Sequence, residues 1–373
     1  MLSRSQRIVN SRRLLRDLLG VFHFTRIYKN TLILCLIWVK QYRYLPMINI
    51  SPININKKTA SFLFFLITSF AAISQDAHFS QFYANPLYLN PAFAGNNYCP
   101  KMNLNFKNQW TGLDGGYSTY SISYDKFAES VAGGIGALIT HDKSGAGSLS
   151  TTTINLIYAY TLNINKNLSF KAGFQFGYFQ NSIDWDNLKF ADMYTTTPGI
   201  TNATAESKIS ATGKGIDIAA GGIFYNEFFF GGVSVHHLTE PEQYIFGDND
   251  SKLNRKYSIH TGAKINVENA LGELTISPNL LIQNQGNFTQ YNFGCYVDKG
   301  PVVIGAWYRW NDAIIGSLGL IHNNFRIGYS FDYSIGKIGF NKPLVSHEIS
   351  VSHKFKCKSK KTRKYRIAQC PEF

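Results

Sequence analysis

The sequence is poor in charge: only 16% of its 373 residues are Asp, Glu, Lys or Arg, where a soluble domain carries about 25%. It has little cysteine, five residues in all, which excludes a small scaffold stapled by disulfides. It has no long apolar run. The Ser61–Ile73 stretch is too short to cross a bilayer comfortably as a helix, and a mean hydropathy of −0.13 is too polar for a helical membrane bundle. No GxSxG or HExxH stretch is present, and no zinc-finger or RNA-recognition signature. What the chain has instead is Gly (31), Phe (28) and Tyr (22) within a 45% hydrophobic composition, which excludes disorder and collagen-like repeats.

The formal charge of +14 belongs to the ends. Residues 1–46 carry nine Lys/Arg against Asp17 alone, residues 354–373 carry eight against Glu372, and residues 75–353 are mildly acidic. A basic tail without a recognition motif is a solvated electrostatic feature, so no nucleic-acid partner is expected. From Met47 the sequence reads as an export signal. Lys57 and Lys58 precede the apolar Ser61–Ile73, and Ala72 and Ser74 are the small residues before a cut at Gln75. The expected organisation is an upstream extension over 1–46 outside the mature protein, a signal peptide over 47–74 and an irregular periplasmic segment over 75–100. A transmembrane barrel over 101–356 and a basic periplasmic tail over 357–373 complete it.

Beyond Met102 the dominant period is two. Phe170, Ala172, Phe174, Phe176 and Tyr178 alternate with Lys171, Gly173, Gln175 and Gly177. Phe325, Ile327, Tyr329, Phe331 and Tyr333 alternate with Arg326, Gly328, Ser330 and Asp332. One face is aromatic and aliphatic, the other small and polar, which is the inverted pattern of a membrane barrel. Fourteen such segments are readable: 101–111, 117–126, 131–141, 149–160, 168–182, 213–225, 227–238, 255–267, 272–284, 288–298, 301–310, 313–321, 325–334 and 345–356. The longest connections (183–212, 239–254, 335–344) are all odd-numbered, and the even-numbered ones are short. Long outer loops, short periplasmic turns and an even strand count make the fold class all-β. The expectation is an outer-membrane barrel of about fourteen antiparallel strands with periplasmic termini.

Trp110, Tyr117, Trp307, Tyr308 and Trp310 lie near strand ends and suit interfacial girdles. Chemistry-bearing motifs are thin. His236-His237 point to opposite faces of a strand and make a poor shared metal site. Asp248-Asn249-Asp250 lacks the glycine and terminal glutamate of a calcium loop. No cofactor, metal or enzymatic activity is expected. Cys295 shares the phase of Tyr291 and Phe293 and faces lipid. Cys99 precedes the first strand and Cys357 follows the last, so a disulfide between them fits a closed barrel; Cys357–Cys370 is the rival pairing.

The stretch QDAHFSQFYANPLYLNPAFAGNN, residues 75–97, followed by CPKMNLNFKNQW, resembles the N-terminal signature of the PorP/SprF family of type IX secretion membrane proteins of Bacteroidota. The likeness continues through Gly133-Gly134-Ile135-Gly136, Ile183-Asp184-Trp185, His237-Leu238, Trp307-Tyr308-Arg309, Gly328–Asp332 and His347-Glu348-Ile349 to Cys370-Pro371. It implies a non-enzymatic outer-membrane barrel that supports secretion or surface attachment of particular large adhesin- or gliding-type proteins. The implied partners are a secreted client, periplasmic components of the same machinery and outer-membrane lipid. The candidate partner-binding residues are Phe79, Phe82, Tyr83, Asn85, Pro86, Asn90, Pro91 and Phe93 in the N-terminal segment, at the periplasmic mouth, and Trp185, Leu188 and Phe190 in the longest loop. The alternative is a passive porin or small-solute transporter with an open lumen.

Overall fold

The computed structural model describes residues 76–357 apart from 114, 146–147, 166, 189, 194–203, 206–211, 243–251, 270–271 and 337–343. The expected extension and leader, Asp248–Asp250 and Cys370 lie outside the described residues.

The strands are β1 Lys101–Gln109, β2 Tyr117–Ala128, β3 Gly133–Ser144, β4 Leu149–Asn163, β5 Ser169–Ile183, β6 Thr212–Tyr225, β7 Phe229–His236, β8 Lys256–Ala263, β9 Ile265–Asn269, β10 Gly272–Gln285, β11 Phe288–Lys299, β12 Val302–Arg309, β13 Ala313–His322, β14 Phe325–Ser334 and β15 Val345–Lys354. All pairings are antiparallel. The ring closes where β1 meets β15, from Lys101↔Lys354 to Asn108↔His347. Strands β8 and β9 both pair with β10 and are parted only at Lys264, so the wall has fourteen staves. The break falls where Phe229, the start of β7, pairs with Ala263; beyond it β9 runs past the β6–β7 turn, with β10 as its only paired neighbour among the described residues.

Period two separates the faces cleanly. Along β14 the aromatics and Ile327 face out, while Gly328, Ser330 and Asp332 are buried. On β4, Leu156 is 63% exposed and its neighbour Asn155 only 5%. Closure pairs neighbouring strands all round the ring, so the wall supplies its own backbone partners, and the apolar exterior matches hydrocarbon. Cys295 shares the outward face and is half-buried.

Trp307 departs from the expected girdle. It is 2% exposed and points inward, in phase with Arg309, while Tyr308 and Trp310 point out. The strand period assigns it there, because Ile304 and Tyr308 on the same strand already occupy the lipid side. Trp110 and Tyr117 remain at a strand end, rings 5.4 Å apart.

Residues 76–98 do not rest at one mouth of the barrel; they run through its lumen. Asp76 meets His237, Lys256 and Gln285 at the end of the long connections, and Tyr98 meets Glu129 at the end of the short turns. Cys99 and Cys357 are disulfide-bonded beside the closing strands at the short-turn end, Cα atoms 5.5 Å apart. The first described residue and the end of the last strand therefore sit at opposite ends of the lumen. The physical reason is that the inward face carries buried polar and charged groups that need partners, and this segment supplies them.

Candidate functional site: a plugged lumen

The plug is built from two Asn-Pro steps. Pro86 and Pro91 each begin a short helical turn, Pro86–Leu89 and Pro91–Phe93, where a missing N–H costs nothing and φ is already set. Asn90 Oδ1 accepts from Ala92 N at 2.9 Å, capping the second turn. Its Nδ2 donates to the Val233 carbonyl at 3.0 Å and the Gly222 carbonyl at 3.3 Å, and lies 3.1 Å from His260 Nε2. Asn85 Nδ2 donates to Ser121 Oγ at 2.8 Å. Both asparagines are thus turn-formers whose amides bond to the wall.

Apolar contacts fill the space between. Phe82 and Tyr83 pack on Trp307, Tyr83 also on Phe230, and Phe93 on the His260 ring. Phe79, Leu87, Leu89, Ala92 and Ala94 are likewise buried. Where backbone approaches wall there is no room for a side chain. A Cβ on Gly134 would lie 1.9 Å from the Ala94 carbonyl oxygen, and one on Gly173 2.2 Å from Ala92 N.

Ser80 and Gln81 hold the closing seam. Ser80 N donates to Glu348 Oε2 at 2.6 Å, and Ser80 Oγ bonds Asp332. Lys107 Nζ reaches Ser80 Oγ and the His78 carbonyl, both at 2.9 Å, and Asp332 at 3.7 Å. Gln81 Nε2 donates to the Glu348 carbonyl at 3.0 Å and its Oε1 accepts from Ser350 Oγ at 2.5 Å. One dipeptide so touches β1, β14 and β15.

A second anchor latches the long-connection end. His237, just beyond β7, lies between Asp76 Oδ2 at 2.8 Å and Asp217 Oδ2 at 2.9 Å, and Lys256 Nζ stands 3.5 Å from the same Asp76 oxygen. Burial disfavours the imidazolium, yet Asp76 and Asp217 together raise its pKa to about 10. Burial also opposes ionisation of Asp76, but His237 and Lys256 outweigh it and hold the carboxyl well below the usual range. Beside this latch a chamber of about 110 Å³ separates the plug's Ala77 and Tyr88 from the inward faces of β2–β6.

The N-terminal candidates Phe79, Phe82, Tyr83, Asn85, Asn90, Pro91 and Phe93 are all buried against the chain's own wall, with Pro86 half-buried; they do not form a surface that a partner reaches. Trp185, Leu188 and Phe190 lie apart from them in the β5–β6 connection. There Trp185 stacks on Phe190 at 5.5 Å, Leu188 N bonds the Trp185 carbonyl, and Asp184 N bonds the Ser148 carbonyl of the neighbouring connection. Sequence reading missed the Asp76–His237–Asp217 latch and the seam anchor. The available signal was the phase of Lys107, Arg309, Asp332 and Glu348, which period two assigns to the inside, where unpaired charge is costly.

Among solved structures, the chain is similar to the Ralstonia pickettii toluene transporter TbuX (11% identity, 73% of this chain and 94% of that one, TM-score 0.48). It is also similar to the Pseudomonas putida toluene transporter TodX (8%, 76% and 99%, TM-score 0.46) and the Acinetobacter baumannii outer membrane protein Omp33 (8%, 70% and 100%, TM-score 0.41). No protein of curated function matches the sequence. The family model of the type IX secretion system membrane protein PorP/SprF matches residues 71–353. With its closed fourteen-stave wall, its lipid-facing exterior and that match over most of its length, the chain belongs to the PorP/SprF family of type IX secretion system membrane proteins and is a barrel of the outer membrane.

Proposed function

We propose that the protein is a sealed, non-enzymatic platform of the type IX secretion system. It supports the secretion or surface attachment of particular large adhesin- or gliding-type proteins without passing them through its own lumen. The observation that carries this reading is the plug. Residues 79–94 are buried almost throughout and bonded to strands around the ring. A polypeptide could use the lumen only after this segment left it, exposing six large apolar side chains at about 1.5–3 kcal/mol each and stripping Glu348, Asp332 and Lys107 of their hydrogen bonds to the plug. Contact with the client then falls to the long connections, where Trp185, Leu188 and Phe190 present an aromatic and aliphatic cluster. Periplasmic components of the machinery would meet the short turns and the basic tail.

Deletion of the gene, with surface and supernatant proteomes compared with the parent, tests this. Selective loss of one or a few large surface proteins is expected, restored by the native protein and less well by a Trp185→Ala/Phe190→Ala variant. An unchanged surface proteome with altered uptake of small solutes would overturn the platform and favour a transporter.

A further inference from the structure

The chamber beside the latch is more than a gap left by the plug. Its described lining carries three carboxylates, Asp76, Asp142 and Asp217, against two cations, Lys256 and His237. Asp76 and Asp217 are engaged with His237, and Asp76 with Lys256 as well, which balances that corner. His236 donates from Nε2 to the Leu89 carbonyl at 3.4 Å. Asp142 is left as the uncompensated charge; its Oδ1 accepts a neutral hydrogen bond from Thr119 at 2.6 Å.

The hydrogen-bond balance points the same way. Two buried lining atoms, Gln175 Oε1 and Asp217 Oδ1, have no partner, on residues 4% and 8% exposed. Both are acceptors, and the carboxylate oxygen is one whichever way the amide is turned. No lining donor is orphaned in the same way among the described residues. A sugar or a carboxylate would bring acceptors that this wall does not ask for. A cationic nitrogen brings several N–H donors, no acceptor and the missing charge. Tyr88, Leu138 and Phe179 supply an apolar surface for an aliphatic stem.

We propose that this chamber binds an ammonium or guanidinium group on an aliphatic stem, within a lining that includes Asp142, Gln175 and Asp217. The source is either a basic side chain of a polypeptide at the outer mouth or a free diamine. The inference stands or falls independently of the secretion role. The test is calorimetric titration of the full chain in detergent micelles with 1,5-diaminopentane and with Nα-acetyl-lysine amide. Nα,Nε-diacetyl-lysine amide and glucose serve as neutral comparisons. Binding of at least one amine with Kd below about 1 mM is expected. It should weaken at least about tenfold on Nε-acetylation, and as much in Asp142→Asn, which retains the bond from Thr119. Gln175→Leu provides a second variant should Asp142→Asn fail to show the heat-modifiable mobility of a folded barrel. Tighter binding of the capped lysine assigns the site to a polypeptide side chain, and tighter binding of the diamine to a small molecule; either upholds the chemistry. Absence of amine binding, equal binding of the neutral compounds, or full affinity in the folded variants would overturn it.

Discussion

Gly134 and Gly173 lack side chains because the plug backbone already occupies the space, at 1.9 Å from the Ala94 carbonyl oxygen and 2.2 Å from Ala92 N. Backbone cannot rotate away as a side-chain tip can, so Gly134→Ala or Gly173→Ala must displace the plug or bend the wall. A loss of about 1–3 kcal/mol is expected, the usual cost of overpacking. Gly316→Ala is the internal comparison: a Cβ there meets nothing within 4 Å, and the change should be close to neutral. The temperature at which the folded band disappears in cold-loaded electrophoresis measures all three. His237 makes a different prediction. Its folded pKa of about 10 stands above the ordinary 6.5, so its stabilisation is complete below the lower value and is lost as pH rises through the upper one. Asp76 is depressed, so its share is present above its ordinary value and is lost only in acid. The thermal midpoint should therefore fall between about pH 6 and about pH 9.5, and His237→Gln should flatten that slope. Equal slopes in both proteins would remove His237 from the latch.

At the scale of elements, the wall was legible and the plug was not. The fourteen segments read from alternation agree with the observed strands to within about three residues at nearly every end, as at 325–334, where the bounds coincide. Two faces in different solvents impose period two, and any slip in register would turn polar groups to lipid. Residues 75–97 have no such period. Their Phe, Tyr and Leu read as a partner surface because nothing local reveals that the partner is the inside of the same chain. Trp307 was misplaced because its type suggested an interface while its phase, shared with Arg309, already pointed inward. The plug is also joined covalently to the seam. Cys99 follows it directly, and the bond to Cys357 closes a loop of 258 residues. Such a cross-link is worth about 2–4 kcal/mol. Non-reduced peptide mapping should recover Cys99 linked to Cys357, and Cys357→Ser should lower the thermal midpoint without abolishing the folded band. Recovery of Cys357 linked to Cys370 would instead untie plug from rim.

For the whole molecule, closure of the ring and occupancy of its lumen are one problem. Strands β1, β14 and β15 carry Lys107, Asp332 and Glu348 inward, and these charges meet one another and Ser80-Gln81 where the ring shuts. Taking only four of these buried contacts at about 1 kcal/mol each, the unplugged population is about one molecule in a thousand, before any apolar burial is counted. A barrel held in the plugged state is expected not to conduct. Planar bilayers containing the purified protein should show no stepwise current. The double variant Ser80→Ala/Gln81→Ala strips the hydroxyl and amide from the seam while keeping both backbone N–H groups on Glu348. Losing those hydrogen bonds from Asp332 and Ser350 costs about 1 kcal/mol apiece, together enough to raise brief openings at least about tenfold. Steady current from the native protein, of the size an empty fourteen-stave barrel would carry, would mean that the segment is a gate and that the lumen is a route.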